Sequence, residues 1–359
     1  MKNKILQFAQ MSVLIIILIL AVLAVIFIPK SISNYFAFAV KGASIGIAGY
    51  IVAEFAPIIL SEIVLLIVFA ILTKHMHKNG SRSLLKGKFG FIKKIPVVAR
   101  IIIGLGVIFC VFTLILYVVQ DAFVYTPTDG TSMTRQVLKH QEMSEVNLDE
   151  GKISGLAYSK SSSQCLLFFG GNAQNAASFF KNFYKNGFDI LIDNTDILYF
   201  DYPGYGKNQG KPTEKDIYQM ALSAYSYAKE NYSTVYVAGF SLGSGVAAYV
   251  SAERNPLKVF LIAPYTSMTD VYNTFLPIFY GPYKYIVKNK YPSIKYIGEN
   301  ESETLIFASK TDEVIPYEFS LRLYESVTEK AKMFTMDDKS HNEIVFDESV
   351  WEIIKNEMN

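Results

Sequence analysis

The sequence predicts an α/β domain, a mostly parallel sheet with helices on both faces, preceded by a transmembrane helical region. Three observations carry that prediction. From residue 165 onward short β-prone runs alternate with helical patterns, the alternation that builds a parallel sheet. One junction, Val235-Tyr-Val-Ala-Gly-Phe-Ser-Leu-Gly-Ser-Gly245, reads as strand, tight turn and helix start. The chain is 51% hydrophobic and only 18% charged, a composition foreign to ordinary soluble enzymes, and the excess sits in the first 120 residues.

The membrane region is residues 1–120. Residues 5–28 carry no charged side chain and are long enough to span a bilayer; Pro29-Lys30-Ser31-Ile32-Ser33 offers no small-x-small cleavage site. Between 35 and 73 the apolar run is interrupted by Lys41, Glu54 and Glu62, leaving one span at 48–72 or two joined near Glu54. A last span covers 101–119. Three spans is the reading and four the alternative. The ionisable groups are assigned to the interface or to pairing within the helix bundle. The loop 74–100 holds Lys74, Lys78, Arg82, Lys86, Lys88, Lys93, Lys94 and Arg100 with no acid. Short basic loops stay in the cytoplasm, so everything after Asp121 is expected on the extracytoplasmic side. Topogenic charge accounts for these cations, and a net charge of +2 points to no nucleic-acid partner. Cys110 falls in a span and Cys165 in a strand, which excludes a disulfide framework.

The second domain, residues 121–359, is long enough for one sizeable core. Strands are expected at 165–169, 197–201, 234–239, 257–262, 304–308 and 332–336, with helices at 174–186, 213–230, 242–253, 317–327 and 347–357. Residues 147–158 are expected to add an antiparallel edge, and 265–296 a small cap. The cap is rich in aromatics, among them Tyr272, Phe275, Phe279, Tyr280, Tyr283 and Tyr285. They could line an apolar acyl pocket or simply pack on the domain.

The chemistry centres on Gly239-Phe240-Ser241-Leu242-Gly243. A G-x-S-x-G between strand and helix places its serine at a strained turn, with glycines two before and two after letting strand and helix approach closely. Negative charge developing near Ser241 would meet free N–H groups at a helix N-terminus. A base follows by elimination from four histidines. His75 and His77 lie in the basic loop and His140 precedes the sheet; only His341, after the last strand, satisfies the chain order serine, acid, histidine. Between them stand Asp270, Asp312, Asp337 and Asp338. Asp312 follows strand 304–308, at the carboxyl edge where open sheets place their sites, and is the first choice. Asp338 is the second, Asp337 is read as a turn residue and Asp270 as a helix cap. The oxyanion donors are expected to be the N–H of Leu242, next to the nucleophile, and that of Asn172, at the start of the helix after Gly170-Gly171.

Together these motifs resemble the α/β-hydrolase superfamily, and within it the membrane-anchored α/β-hydrolase domain-containing group related to serine aminopeptidases and prolyl oligopeptidases. That group carries F-H-G-N-A-G-N, D-Y-R-G-Y-G-x-S-x-G, H-G-x-x-D-x-x-V-P and G-H-N. This chain has Phe169-Gly-Gly-Asn-Ala-Gln-Asn175, Asp201-Tyr-Pro-Gly-Tyr-Gly-Lys-Asn-Gln-Gly210, Ala308-Ser-Lys-Thr-Asp-Glu-Val-Ile-Pro316 and Ser340-His-Asn342. The resemblance covers residues 123–358. It departs at Gly170, where the group has histidine, at Ala308-Ser309 and at Ser340. It implies that 201–210 is a structural loop over the site, which Pro203, Gly204 and Gly206 also indicate by fixing a turn.

The expected function is that of a membrane-anchored serine hydrolase. Ser241, His341 and Asp312 would cleave an ester, thioester or related acyl bond through an acyl-enzyme, with no metal or organic cofactor. The expected substrate is a hydrophobic small molecule, lipid-like or acylated, met at the lipid bilayer. The alternatives are a peptidase of the serine aminopeptidase type and a non-catalytic membrane protein that uses the domain for binding.

Overall fold

Eight strands form one sheet in the order β1-β2-β4-β3-β5-β6-β7-β8. The computed structural model describes residues 113, 114 and 116–359, and the chain divides into two compact units, Met1–Phe123 and Val124–Asn359. The expected spans at 5–28 and 48–72 and the basic loop lie outside the described residues, as does most of 101–119. Among the described residues no helix is long and apolar enough to cross a membrane.

In the second unit, helix α1 (Thr131–Val137) leads into β1 (Met143–Leu148) and β2 (Ile153–Tyr158), which pair antiparallel. The latter pairs antiparallel with β4 (Asp196–Phe200), and every later pairing is parallel. The parallel strands are β3 (Gln164–Phe169), β4, β5 (Thr234–Phe240), β6 (Lys258–Ile262), β7 (Glu303–Ser309) and β8 (Ala331–Met336). Between them run α2 (Ala176–Lys185), α3 (Phe188–Leu191), α4 (Glu214–Asn231), α5 (Leu242–Arg254), α6 (Met268–Phe275), α7 (Ser293–Glu299), α8 (Tyr317–Ser326) and α9 (Glu348–Met358).

Burial explains why the inner strands read as continuous apolar runs. All of β4, and all but the first residue of β3, β5, β6 and β7, are buried, because helices cover both faces of a parallel sheet. The outer strands β1 and β8 keep a half-exposed pattern. One face packs on an aromatic cluster in which Phe168 stacks on Phe179 at 4.4 Å between ring centroids and Trp351 of α9 closes the layer. Trp351 is fully buried, and its indole N–H donates to the Val345 carbonyl at 2.8 Å. Truncating such a ring to alanine costs about 3–5 kcal/mol.

The helix before the site differs from the sequence expectation. It does not begin at 172–174. Asn175 is its N-cap, accepting from the Ser178 N–H while the Ser178 hydroxyl accepts from the Asn175 N–H, a reciprocal capping box. Asn172 therefore sits in a turn ahead of the helix. The cap contains α6, where Asp270 was expected to cap a helix, and α7, which was not expected. Each is short, and Tyr272 of α6 with Lys295 and Tyr296 of α7 suit a loop as well as a helix.

Candidate functional site

The site is built at the carboxyl edge of the parallel strands, from the loops that follow β3, β5 and β7 and the loop after β8. Ser241 stands between β5 and α5 with φ 51° and ψ −118°, a backbone conformation costly for any residue with a Cβ. The surrounding structure holds it there. Its N–H donates to the Ile262 carbonyl at 2.9 Å, and its own carbonyl accepts from Ser244 N–H and Oγ at 2.8 and 2.6 Å. The two flanking glycines are sterically required. A Cβ on Gly239 would lie 2.1 Å from the Gly243 carbonyl oxygen, and one on Gly243 would lie 2.1 Å from that of Phe169.

The structure brings Ser241, His341 and Asp312 together. His341 Nε2 lies 2.9 Å from Ser241 Oγ, and its Nδ1 lies 2.7 Å from Asp312 Oδ2. His341 and the Asp312 carboxylate are both buried, so little water competes for these contacts. The other carboxylate oxygen of Asp312 accepts from the N–H groups of Val314 and Ile315 at 2.8 and 2.7 Å. That leaves Oδ2 for the imidazole. The arrangement favours the tautomer with the proton on Nδ1 and a lone pair on Nε2 toward the serine hydroxyl.

The other candidates fall elsewhere. Asp338 is exposed at φ 60° in the turn after β8, and Asp337 pairs with Lys310 at 3.5 Å. Asp270 lies in the first turn of α6, where it accepts from the hydroxyls of Thr266 and Ser267; Ser267 is the N-cap itself. His140 stacks on Tyr184 at 3.7 Å, and His75 and His77 lie outside the described residues. Leu242 is the first helical residue, so its N–H belongs to the turn that has no intrahelical acceptor.

The loop after β3 reaches the nucleophile at Gly171, where an added Cβ would sit 3.4 Å from Ser241 Cβ and 2.8 Å from the Phe240 ring. Asn172 comes next. Its Oδ1 accepts from Thr126 N–H, the Tyr205 hydroxyl and Ala173 N–H at 2.6, 2.9 and 2.9 Å. Those bonds pin the residue and leave its backbone N–H beside Gly171 as the donor in question.

Sequence reasoning missed the residues that brace this loop. Gly170 stands where the resembled group has a histidine, and the space is filled from β4: a Cβ there would lie 1.6 Å from Tyr199 Oη. The Tyr199 hydroxyl donates to the Gln174 carbonyl at 3.3 Å, the Tyr202 hydroxyl donates to the Gly170 carbonyl at 2.7 Å, and Gln174 Oε1 accepts from Gly171 N–H at 3.2 Å. Burial pushes the phenol pKa values of Tyr199, Tyr202 and Tyr205 upward, so all three remain donors. Asp201 accepts from Ala176 N–H at 2.7 Å, at the start of α2, and burial pushes its carboxyl up to about 6. The stretch 201–210 thus clamps the loop after β3. The tyrosine-dense Tyr199-Phe-Asp-Tyr-Pro-Gly-Tyr205 was the available signal.

The other departures have local roles. Ser309 Oγ donates to the Lys339 carbonyl at 2.6 Å, and Thr311 Oγ1 to the same oxygen at 3.1 Å. They tie the loop bearing Asp312 to the loop bearing His341. Ser340 donates through its N–H and hydroxyl to Glu343 at 2.9 and 2.6 Å, fixing the turn beyond the histidine.

Gly170→Ala is expected to destabilise the domain by about 1–3 kcal/mol through overpacking and to slow reaction at Ser241. Tyr199 is fully buried and packs on both Phe168 and Phe179, so its ring has little room to move aside. Thermal unfolding and the rate of active-site labelling check both effects; an unchanged midpoint would mean that the loop shifts freely.

No protein-family model matches the chain. Among curated proteins it is 29% identical over 151 residues to an uncharacterised protein of Mycobacterium tuberculosis, covering 41% of this chain and 53% of that one. It is 28% identical over 183 residues to the human alpha/beta hydrolase domain-containing protein 17B, covering 50% of this chain and 60% of the relative. The chain therefore spans between half and two thirds of the length of these relatives. Among solved structures an esterase of Pyrococcus furiosus, Pf2001, superposes with a TM-score of 0.51 at 16% identity, covering 65% of this chain and 96% of the esterase. With the observed strand order, these likenesses give residues 124–359 the α/β-hydrolase fold.

Proposed function

We propose that this α/β-hydrolase domain belongs to a membrane-anchored serine hydrolase that cleaves an ester, thioester or related acyl bond. One observation carries the reading: the continuous contact from Asp312 through His341 to Ser241, at 2.7 and 2.9 Å, on a serine held at a strained turn at the carboxyl edge of the sheet.

The chemistry follows from which atom faces which. Ser241 Oγ attacks the acyl carbon while its proton passes to His341 Nε2. Asp312 holds the imidazole through Nδ1–H and stabilises the imidazolium. The negative oxygen of the tetrahedral intermediate lies toward the N–H groups of Leu242 and Asn172. Collapse breaks the bond to the leaving group, which takes the proton from His341, and leaves the acyl group on Ser241. Water then attacks this ester, giving a proton to His341 that returns to Ser241 as the acid departs. Labelling by a fluorophosphonate probe tests the reading, and turnover of p-nitrophenyl esters of increasing acyl length measures the pocket. A purified protein that resists the probe and hydrolyses none of these esters would leave the domain as a binding module.

The apolar first 120 residues support a bilayer anchor, and the basic loop 74–100 supports a hydrolase domain outside the cytoplasm. The substrate would then be an extracytoplasmic lipid, lipoprotein or envelope ester. Protease added to intact cells or spheroplasts is expected to digest the C-terminal domain. Complete protection until lysis would put the active site in the cytoplasm.

A further inference from the structure

We propose that the cap is a docking surface for an anionic lipid bilayer, and that it holds the mouth of the site at the membrane interface. The proposal rests on the membrane-anchored reading above but is tested separately from it.

The first observation is where apolar surface remains exposed. Among the described residues after Val124, six large apolar side chains are exposed, and four of them, Phe275, Leu276, Tyr280 and Tyr285, lie in one stretch of the cap. Tyr280 and Tyr285 are 63% and 72% exposed, although Tyr272, Phe279 and Tyr291 of the same segment are buried. The cap thus has an inner aromatic layer that packs on the domain and an outer one that nothing in the domain covers. The other two exposed side chains, Ile190 and Leu257, stand just before β4 and β6, at the opposite edge of the sheet.

Charge is the second observation. Between Asp270 and Glu299 the chain carries Lys284, Lys288, Lys290 and Lys295 and no acid. Lys284 Nζ lies over the Tyr285 ring at 5.3 Å, and Lys290 is exposed. The nearest acids have partners of their own: Glu214 accepts from the N–H groups of Lys290 and Tyr291, Asp270 accepts from the Thr266 and Ser267 hydroxyls and lies 4.0 Å from Arg322, and Glu299 lies 3.8 Å from Lys295. A protein-binding patch would concentrate aromatics and exclude lysine from its centre. Tyrosine rings interleaved with lysines match a bilayer interface instead, where the ring enters the headgroup layer, the ammonium meets anionic lipid and the lysine stem covers apolar surface.

Position is the third. The cap leaves the carboxyl end of β6, whose last carbonyl, on Ile262, accepts the Ser241 N–H. Where the chain enters the domain it lies on the same edge. Tyr125 and Tyr291 share a hydroxyl contact of 2.8 Å, Thr126 N–H donates to the Tyr205 hydroxyl, and the Thr128 carbonyl accepts from Gly206 N–H.

The test uses the full chain in nanodiscs whose lipids carry brominated acyl chains, which quench tryptophan that enters the bilayer. Tyr285→Trp is the reporter and Ile190→Trp the control, and the fully buried Trp351 is a constant background in both. Tyr285→Trp is expected to lose fluorescence in discs of phosphatidylcholine with phosphatidylglycerol, and Ile190→Trp to keep it. The loss should shrink in discs of phosphatidylcholine alone and with Lys284→Gln, Lys288→Gln and Lys290→Gln combined. An unquenched Tyr285→Trp, equal quenching of the two reporters, or quenching indifferent to lipid charge would each overturn the proposal. Because the readout needs no catalysis, these results are independent of the hydrolase assignment. Resistance of the chain to alkaline carbonate extraction tests the anchor by itself.

Discussion

Ser241→Ala is expected to abolish probe labelling and to lower ester turnover by about 10⁶-fold, by analogy with loss of the nucleophile in a serine protease. The reason is positional as well as chemical. Ser241 Oγ is the group 2.9 Å from His341 Nε2, and the other nearby hydroxyl on the elbow, Ser244, already donates to the Ser241 carbonyl. No second nucleophile stands ready. The fold should survive, since alanine keeps the Cβ and inherits the same positive φ. Ser241→Gly makes a sharper test, because glycine adopts this backbone without penalty. It should be as inactive as the alanine variant yet more stable than the natural protein, by roughly 1–3 kcal/mol, the strain that such a conformation stores. Full labelling of either variant would remove Ser241 from the mechanism, and a glycine variant less stable than alanine would show that the turn holds no strain.

How far the sequence reaches depends on what each signal reports. The inner strands were legible because a buried parallel strand has to be a short run of apolar residues between breakers. The runs at 165–169 and 234–239 fall within one residue of β3 and β5. The start of α2 was not legible. Gly170-Gly171-Asn172 looks like a turn ending in a cap, but the true cap is Asn175, identified by its exchange with Ser178 and not by its residue type. For the site, chain order and elimination singled out the three residues that the structure brings together, while the braces behind them stayed hidden. That Tyr199 fills the space beside Gly170 is a fact about two adjacent strands, and β3 and β4 are separated by a whole crossover in sequence. The fate of the cap aromatics was also beyond pattern reading. Tyr291 is buried and Tyr285 exposed, with no difference in residue type to separate them. The cavity of about 420 Å³ there is lined by Phe279, Tyr280 and Tyr285 together with Asp270, Lys284 and Lys290, so aromatic and charged side chains share it.

Asp312→Asn is expected to lower turnover by about 10⁴-fold, again by analogy with serine proteases, with little change in stability. The local hydrogen bonds dictate which way the new amide turns. One oxygen of Asp312 accepts from two backbone N–H groups, those of Val314 and Ile315, at 2.8 and 2.7 Å. Asparagine has a single acceptor oxygen, and leaving these two part-buried N–H groups unsatisfied would cost more than losing one contact to an imidazole. The oxygen therefore stays with the backbone and the NH₂ group faces His341 Nδ1. A donor there selects the tautomer protonated on Nε2, which points a hydrogen at Ser241 Oγ and cannot accept its proton. The residue would be held in place with the wrong chemistry, so an unchanged melting temperature beside a collapsed kcat is the expected signature. Asp338→Asn is the matched control. Asp338 is exposed and left-handed at φ 60°, a conformation that asparagine adopts readily, so neither turnover nor stability should move much. If kcat falls further in Asp338→Asn than in Asp312→Asn, the acid belongs at 338, and the loop after β8 must rearrange to bring it to the imidazole.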